Sequence, residues 1–181
     1  MTIKRAVFLD RDGVINRSDV VDGKPFAPRL LENFDFLPGV LDAVRAIQQH
    51  GFSVIVITNQ PDIANGLVEK AVVEKMNETV VECLGVDALY MCEHRREDEC
   101  PCRKPKPGML EAAARDFGLD LQGSYMVGDR SSDIQAGHAA GCYAIHIDCG
   151  YAEPMLGKAD HTVGDLAEAV SHILAREQGK S

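Results

Sequence analysis

The chain has no apolar run approaching the ~18 to 20 residues that span a bilayer. Its first residues, Met1-Thr2-Ile3-Lys4-Arg5, lead straight into a strand-like stretch. A cytoplasmic protein with no membrane partner is therefore expected. Basic charge is scarce as well: 19 Lys and Arg stand against 28 Asp and Glu, a net charge of -9, and aromatics are 6% of residues with no tryptophan. A Lys/Arg stripe interleaved with aromatics is missing, which argues against nucleic acid as the main partner. An anionic substrate must then be met by cations placed locally. Internal repeats, low-complexity tracts and linker-like segments are also missing. At 181 residues and 45% hydrophobic composition, the chain suits one well-buried core, so a monomer with a single domain over residues 1–181 is expected.

What is present begins with Ala6-Val7-Phe8-Leu9-Asp10-Arg11-Asp12-Gly13-Val14, an apolar strand that delivers two carboxylates onto a tight turn. If the strand continued, its period of two would point Asp10 and Asp12 the same way, and Gly13 would supply the backbone freedom to turn away. Two acids so placed repel and are costly to bury, so a cation should sit between them, most simply a divalent one.

The rest of the chain alternates. Residues 16–28 read as a polar loop over the site, followed by a helix over 40–47 opened by Pro38-Gly39 and closed by Gly51. The β-branched run Phe52 to Ile57 reads as a strand covered on both faces, ending in Thr58-Asn59-Gln60. A helix over 68–84, a strand over 88–92, a helix from Pro107-Gly108 to Phe117, a strand over 124–127 ending in Gly128-Asp129, a helix over 133–140, a strand over 143–147 and a closing helix over 163–175 complete the order. This predicts an α/β fold, a Rossmann-like open parallel sheet with helices on both faces, in which ligands bind beyond the carboxyl ends of the strands. Asp10, Asp12, Thr58, Asn59, Lys104 and Asp129 all follow predicted strands or lie in their loops. No insertion is long enough for a separate cap domain, so only loops should cover the site.

The six cysteines are unevenly spread. Cys92, His94, Cys100 and Cys102 offer three thiolates and an imidazole within eleven residues, the ligand set of a closed structural zinc site. The intervening Glu93 and Arg95 to Glu99 make this insertion too polar to fold around a core, so metal would supply its stability. Arg103 and Lys104 follow the last ligand at once, and zinc would fix where they point. Cys83, Cys142 and Cys149 show no ligand spacing.

Taken singly, Asp10-x-Asp12, Thr58-Asn59, Arg103-Lys104-Pro105 and Gly128-Asp129-Arg130-x-x-Asp133 are each more often an ordinary turn or a solvated side chain. In this order and at strand ends, the chain resembles the haloacid dehalogenase superfamily. Asp10-Arg11-Asp12-Gly13-Val14-Ile15-Asn16, Ile57-Thr58-Asn59-Gln60 and the cysteine loop running into Arg103-Lys104-Pro105 resemble its zinc-containing subgroup of heptose bisphosphate and histidinol-phosphate phosphatases. The resemblance covers roughly residues 4–150.

It implies a phosphomonoesterase in which Asp10 is the nucleophile that becomes an aspartyl phosphate, and Asp12 is the general acid and base. Mg²⁺ would be held by Asp10, the main-chain carbonyl of Asp12 and Asp129. Thr58, Asn59, Gln60 and Lys104 would meet the phosphoryl group, and Asp133 would orient Lys104 or the metal shell. The substrate implied is a small phosphorylated sugar, a heptose 1,7-bisphosphate losing its C7 phosphate, with Arg103 and Arg130 gripping the distal phosphate. Histidinol phosphate is the alternative. An inactive zinc-stabilised scaffold is the reading from another class, and the intact Asp10, Asp12, Lys104 and Asp129 argue against it.

Overall fold

A computed structural model describes residues 4–179. Its main sheet has six parallel strands: β1 (Ala6–Leu9), β4 (Ser53–Asn59), β5 (Ala88–Cys92), β6 (Tyr125–Gly128), β7 (Tyr143–Ile147) and β8 (His161–Val163), in the order β5-β4-β1-β6-β7-β8. The chain first builds outward from β1 through β4 to β5, then crosses back to lay β6 on the other side of β1. Phe8 thus lies opposite Ile55 of β4 and Met126 of β6. The ends of β1, β4 and β6 meet where the strand order reverses, the usual place for a ligand crevice in such sheets.

Alternation along the strands feeds two cores. Val7, Leu9, Val54 and Val56 face helices α1 (Val40–Gln49), α3 (Lys70–Leu84) and α6 (Leu166–Gln178), through Val44, Ile47, Val80, Leu84, Val170 and Ile173. Ala6, Phe8, Ile55 and Ile57 face α4 (Gly108–Phe117) and α5 (Ser131–Ala140), through Met109, Leu110, Ala113 and Ala136. Each fully buried Leu, Ile, Val or Phe contributes roughly 1.5–3 kcal/mol, so covering both faces holds β1 and β4 rigidly beneath the site. The apolar positions 40, 41, 44 and 47 predict the buried face of α1; Val40, Val44 and Ile47 are buried there, but Leu41 is exposed and Ala43 completes the i, i+3, i+4, i+7 stripe. The expected α/β architecture is present, with helices on both faces.

Several boundaries differ from the sequence reading. Residues 16–28 contain an antiparallel hairpin, β2 (Asp19–Val21) and β3 (Lys24–Phe26), turned at Asp22 and Gly23 with φ of 51° and 74°. Asp-Gly at such a tip is a favoured two-residue hairpin turn. The strands are short and largely exposed, with Pro25 inside one of them, so alternation is too weak to reveal them. The closing helix begins at Leu166, because Asp165 caps it by accepting from the Glu168 amide at 2.8 Å. Residues 161–163 are instead the edge strand β8. The second predicted strand continues through Thr58 and Asn59, whereas the first stops at Leu9, leaving Asp10 and Asp12 on the turn beyond it. Between Gln60 and Lys104 lie the short helix α2 (Pro61–Ala64), α3, β5 and the cysteine-rich loop.

Candidate active site and metal centres

Beyond β1, the Asp10 amide donates to the Val127 carbonyl of β6 at 3.0 Å, which fixes the nucleophile candidate to the sheet. Asp10 Oδ1 accepts from the Arg11 amide at 2.7 Å and pairs with Lys104 Nζ at 2.8 Å. The same ammonium pairs with Asp133 Oδ1 at 2.7 Å and donates to the Ile57 carbonyl at 2.9 Å, so two carboxylates and a carbonyl converge on it. Lys104 is 3% exposed. Burial alone would disfavour its charge, but Asp10 and Asp133 outweigh that and raise its pKa. Asn59 holds the lysine's main chain, donating to the Lys104 carbonyl at 3.0 Å and accepting from its amide at 3.1 Å. The Asn59 amide is thus committed to placing Lys104, and the peptide that follows, Lys104-Pro105, is cis.

Asp129 closes the cluster from the end of β6. Neither of its carboxylate oxygens accepts a hydrogen bond of normal geometry, although the residue is 3% exposed. Ligand oxygens of Asp10, Asp129 and Asp133 lie within 4.8 Å of one another. Burial, then the charge of Asp133, pushes Asp10 up to about 7 against the pull of Lys104. Burial, then Asp10 and Asp133, pushes Asp129 well above the usual carboxylate range. A buried, under-satisfied carboxylate beside two others is a donor set that fits a hard divalent cation such as Mg²⁺. Gly13, at φ 86°, packs against this carboxylate so closely that an added Cβ would stand 1.9 Å from Asp129 Oδ2 and 2.8 Å from the Tyr151 hydroxyl. The glycine is therefore part of the site. Asp133 has a second duty, since its Oδ2 accepts from the Arg130 amide at 3.0 Å and caps α5.

Asp12 sits apart from this cluster. Its Oδ1 accepts from Asn16 Nδ2 at 2.9 Å and its Oδ2 from Gln60 Nε2 at 2.7 Å, while Gln60 also donates to Thr58 Oγ1 at 2.9 Å. The fully buried Arg11 adds a guanidinium to both oxygens. Asp10, Asp12, Asn59, Lys104 and Asp129 open into a cleft of about 910 Å³, which Arg103 and Arg130 also line. Arg130 is already held by Glu153, Nε at 3.0 Å and Nη2 at 2.7 Å. Arg103 makes a long contact of 3.4 Å with the His94 carbonyl. The roles of Arg11, Asn16, Tyr151 and Glu153 escaped sequence reasoning. Only Arg11 carried a signal, a basic residue set between two acids at the end of an apolar strand.

The second centre is compact. Cys92 Sγ lies 3.5 Å from His94 Nδ1 and 3.5 Å from Cys100 Sγ, and Cys102 Sγ lies 3.3 Å from His94 Nδ1 and 3.4 Å from Cys100 Sγ. The edges of a tetrahedron centred ~2.3 Å from sulfur are ~3.7 Å, so the four atoms already approximate zinc coordination. All three cysteines are free of disulfides. Burial pushes the Cys92 thiol up to about 12, so a thiolate there needs a cation. Arg95 donates to the Ala64 carbonyl of α2, and Glu93 pairs with Lys70 of α3 at 2.9 Å, so the loop is tied to the rim of the cleft.

A sheet with an acid at the end of its central strand, a buried lysine and a further acid cluster defines a phosphoryl-transfer hydrolase of the haloacid dehalogenase type. Residues 101–169 match the family model described as HAD-hydrolase-like. The chain is 38% identical over 177 residues to the D-glycero-beta-D-manno-heptose-1,7-bisphosphate 7-phosphatase of Pseudomonas aeruginosa, covering 93% of this chain and 97% of that one. It is 35% identical over 181 residues to the enzyme of the same name from Bordetella bronchiseptica, covering 94% and 98%. A crystal structure of the D,D-heptose 1,7-bisphosphate phosphatase of B. bronchiseptica with magnesium and phosphate superposes with a TM-score of 0.82 at 33% identity, over 95% of this chain and 99% of that one. The chain belongs to the haloacid dehalogenase-like hydrolases, in the family of these heptose bisphosphate phosphatases. Among the described residues, no helix is long and apolar enough to cross a membrane.

Proposed function

We propose that this protein removes the C7 phosphate of D-glycero-beta-D-manno-heptose 1,7-bisphosphate and leaves the C1 phosphate in place. The observation that carries the chemistry is the buried Asp10–Lys104–Asp133 ion cluster beside the unpartnered Asp129, facing the cleft. Likeness along nearly the whole chain to enzymes of that name supports the substrate and its anomer.

With Oδ1 anchored by Lys104 and the Arg11 amide, Asp10 has Oδ2 left to attack phosphorus. The bond from phosphorus to the C7 oxygen breaks, and Asp12 gives that oxygen a proton. The aspartyl phosphate is then hydrolysed: Asp12 takes a proton from water, the water oxygen bonds to phosphorus, and inorganic phosphate leaves Asp10 free again. Splitting one displacement into two lowers the barrier of each. Lys104 and the Thr58 hydroxyl supply positive charge and a hydrogen bond to the equatorial oxygens. A carboxylate approaching a phosphate dianion at ~4 Å meets a repulsion of ~4 kcal/mol per charge pair at an effective dielectric of ~20. Mg²⁺ held by Asp10, Asp129 and the Asp12 carbonyl supplies the charge that offsets it.

Arg103 and Arg130 recognise the C1 phosphate, the latter by exchanging Glu153 for the ligand. Cys92, His94, Cys100 and Cys102 would hold a zinc ion in a structural role, since four protein ligands would leave no open position. The enzyme works as a cytoplasmic monomer, which size-exclusion chromatography and cell fractionation test.

The deciding experiment is Mg²⁺-dependent phosphate release, at matched concentrations, from the β and α heptose 1,7-bisphosphates and from histidinol phosphate. A preference for the β anomer of about a hundredfold in kcat/KM, ~2.7 kcal/mol in the transition state, is expected. Faster turnover of histidinol phosphate overturns the substrate, and turnover without Mg²⁺ overturns the mechanism.

A further inference from the structure

Arg11 is among the largest fully buried side chains of the described residues, and packing alone gives no reason for a cation there. Its guanidinium forks onto Asp12, with Nε 3.3 Å and Nη2 3.0 Å from Oδ1, and Nη2 3.2 Å from Oδ2. The remaining nitrogen, Nη1, donates to Asn77 Oδ1 at 2.7 Å. Asn77 is a second anomaly. It is 8% exposed on the buried stripe of α3 formed by Val73, Met76 and Val80, where an apolar residue would pack as well. Its own amide reaches only the Met91 sulfur, at 3.4 Å. The guanidinium lies over the Phe34 ring, 5.6 Å from its centroid, which limits movement out of the fork plane.

We propose that Arg11 is a positioning residue for proton transfer, anchored to α3 through Asn77, and that it sets the direction in which Asp12 presents its carboxyl to the leaving oxygen. This rests on the assignment of Asp12 as general acid. A planar fork fixes both the distance and the rotation of a carboxylate, which a lysine cannot do. Asn77 fixes the fork in turn, so the orientation of Asp12 is tied to α3 through Arg11. Asn16 and Gln60 complete the cradle from two other segments. Proton transfer by a positioned side chain is worth ~10² to 10⁴ in rate, and a displacement of ~1 Å can forfeit about a hundredfold.

Two variants test the idea in the Mg²⁺- and zinc-loaded enzyme. Asn77→Leu keeps the branching and heavy-atom count and removes the anchor; Arg11→Lys keeps the charge and removes the fork. Each is assayed on a sugar phosphate, whose alkoxide needs a proton to leave, and on 2,4-dinitrophenyl phosphate, whose phenolate does not. The burst of dinitrophenolate reports the first step alone. For both variants kcat on the sugar phosphate should fall by roughly 10- to 100-fold with KM within about twofold, while the burst rate stays within about threefold. Urea unfolding identifies a variant that fails to fold, and the other variant then decides. Equal losses on both substrates, or no loss on either, overturn the proposal. Asp12→Asn serves as the reference. If it slows both substrates equally, the assignment of Asp12 as acid has failed, and the positioning role falls with it for that separate reason.

Discussion

Replacing Lys104 with methionine removes the ammonium that pairs with two buried carboxylates, and its effect on stability can be worked out from the contacts. With Nζ 2.8 Å from Asp10 and 2.7 Å from Asp133, each contact is worth roughly 6 kcal/mol before desolvation at an effective dielectric of ~20. Desolvating the ammonium offsets much of this, and losing one partner of a buried pair typically costs ~3–5 kcal/mol. The loss should depend on pH. Asp10 stands at about 7 in the fold against 3.8 ordinarily. A raised folded pKa means that the native state holds the proton more tightly than the unfolded chain. That contribution to stability is complete below about pH 4 and is lost as pH rises through about 7. Magnesium-free protein should therefore lose stability over that window. Without Lys104, which pulls Asp10 down, the loss should extend further above neutrality. Urea unfolding followed by circular dichroism, in magnesium-free, zinc-replete buffer near pH 5 and pH 8, measures the gap between Lys104→Met and the parent. The gap should be ~3–5 kcal/mol at the higher pH and smaller at the lower, where Asp10 holds a proton and the contact with Asp133 remains. A gap equal at both values, or below ~1 kcal/mol near pH 8, would refute the reasoning that the lysine holds ionised acids together.

Asp10→Asn should abolish phosphate release and leave the far-ultraviolet dichroism unchanged; residual turnover above the buffer rate would assign the nucleophile elsewhere. Cys102→Ser should lose zinc, measured by mass spectrometry of the purified protein, and raise KM for the bisphosphate by about tenfold with a smaller change in kcat, since Arg103 follows that ligand directly. Unaltered KM in the zinc-free variant would separate the loop from substrate binding. Gly13→Ala places a methyl within 1.9 Å of Asp129 Oδ2 at a residue with φ 86°. It should destabilise the protein by at least ~1–2 kcal/mol and weaken Mg²⁺ binding in a calorimetric titration; unchanged affinity would show that Asp129 is free to move.

Much of this was legible in the linear chain. The apolar runs of β1, β4, β6 and β7, the stripe of α1 and the glycines that open and close it act over a few residues, and local periodicity reports them directly. Asp10, Asp12, Lys104 and Asp129 stood out because carboxylates and a lysine following buried strands have no packing rationale. Cys92, His94, Cys100 and Cys102 stood out by spacing alone, because their ligand geometry is formed within one loop.

Other features depended on partners far away in sequence. The hairpin at 19–26 and the strand at 161–163 are too short to show a period, and β8 exists because β7 offers an edge on which it can pair. Asn59 reads as a phosphate donor in isolation, yet its amide is claimed by the main chain of Lys104, 45 residues on. Gln60 is drawn to Asp12 across 48 positions, and Arg130 is taken up by Glu153. The amino-acid sequence by itself determined which groups could do chemistry and which end of the sheet would carry them, because strand and turn preferences are local. Only the tertiary structure decided which donor each carboxylate receives, because a buried polar group takes whatever partner the packing of distant segments leaves within about 3 Å.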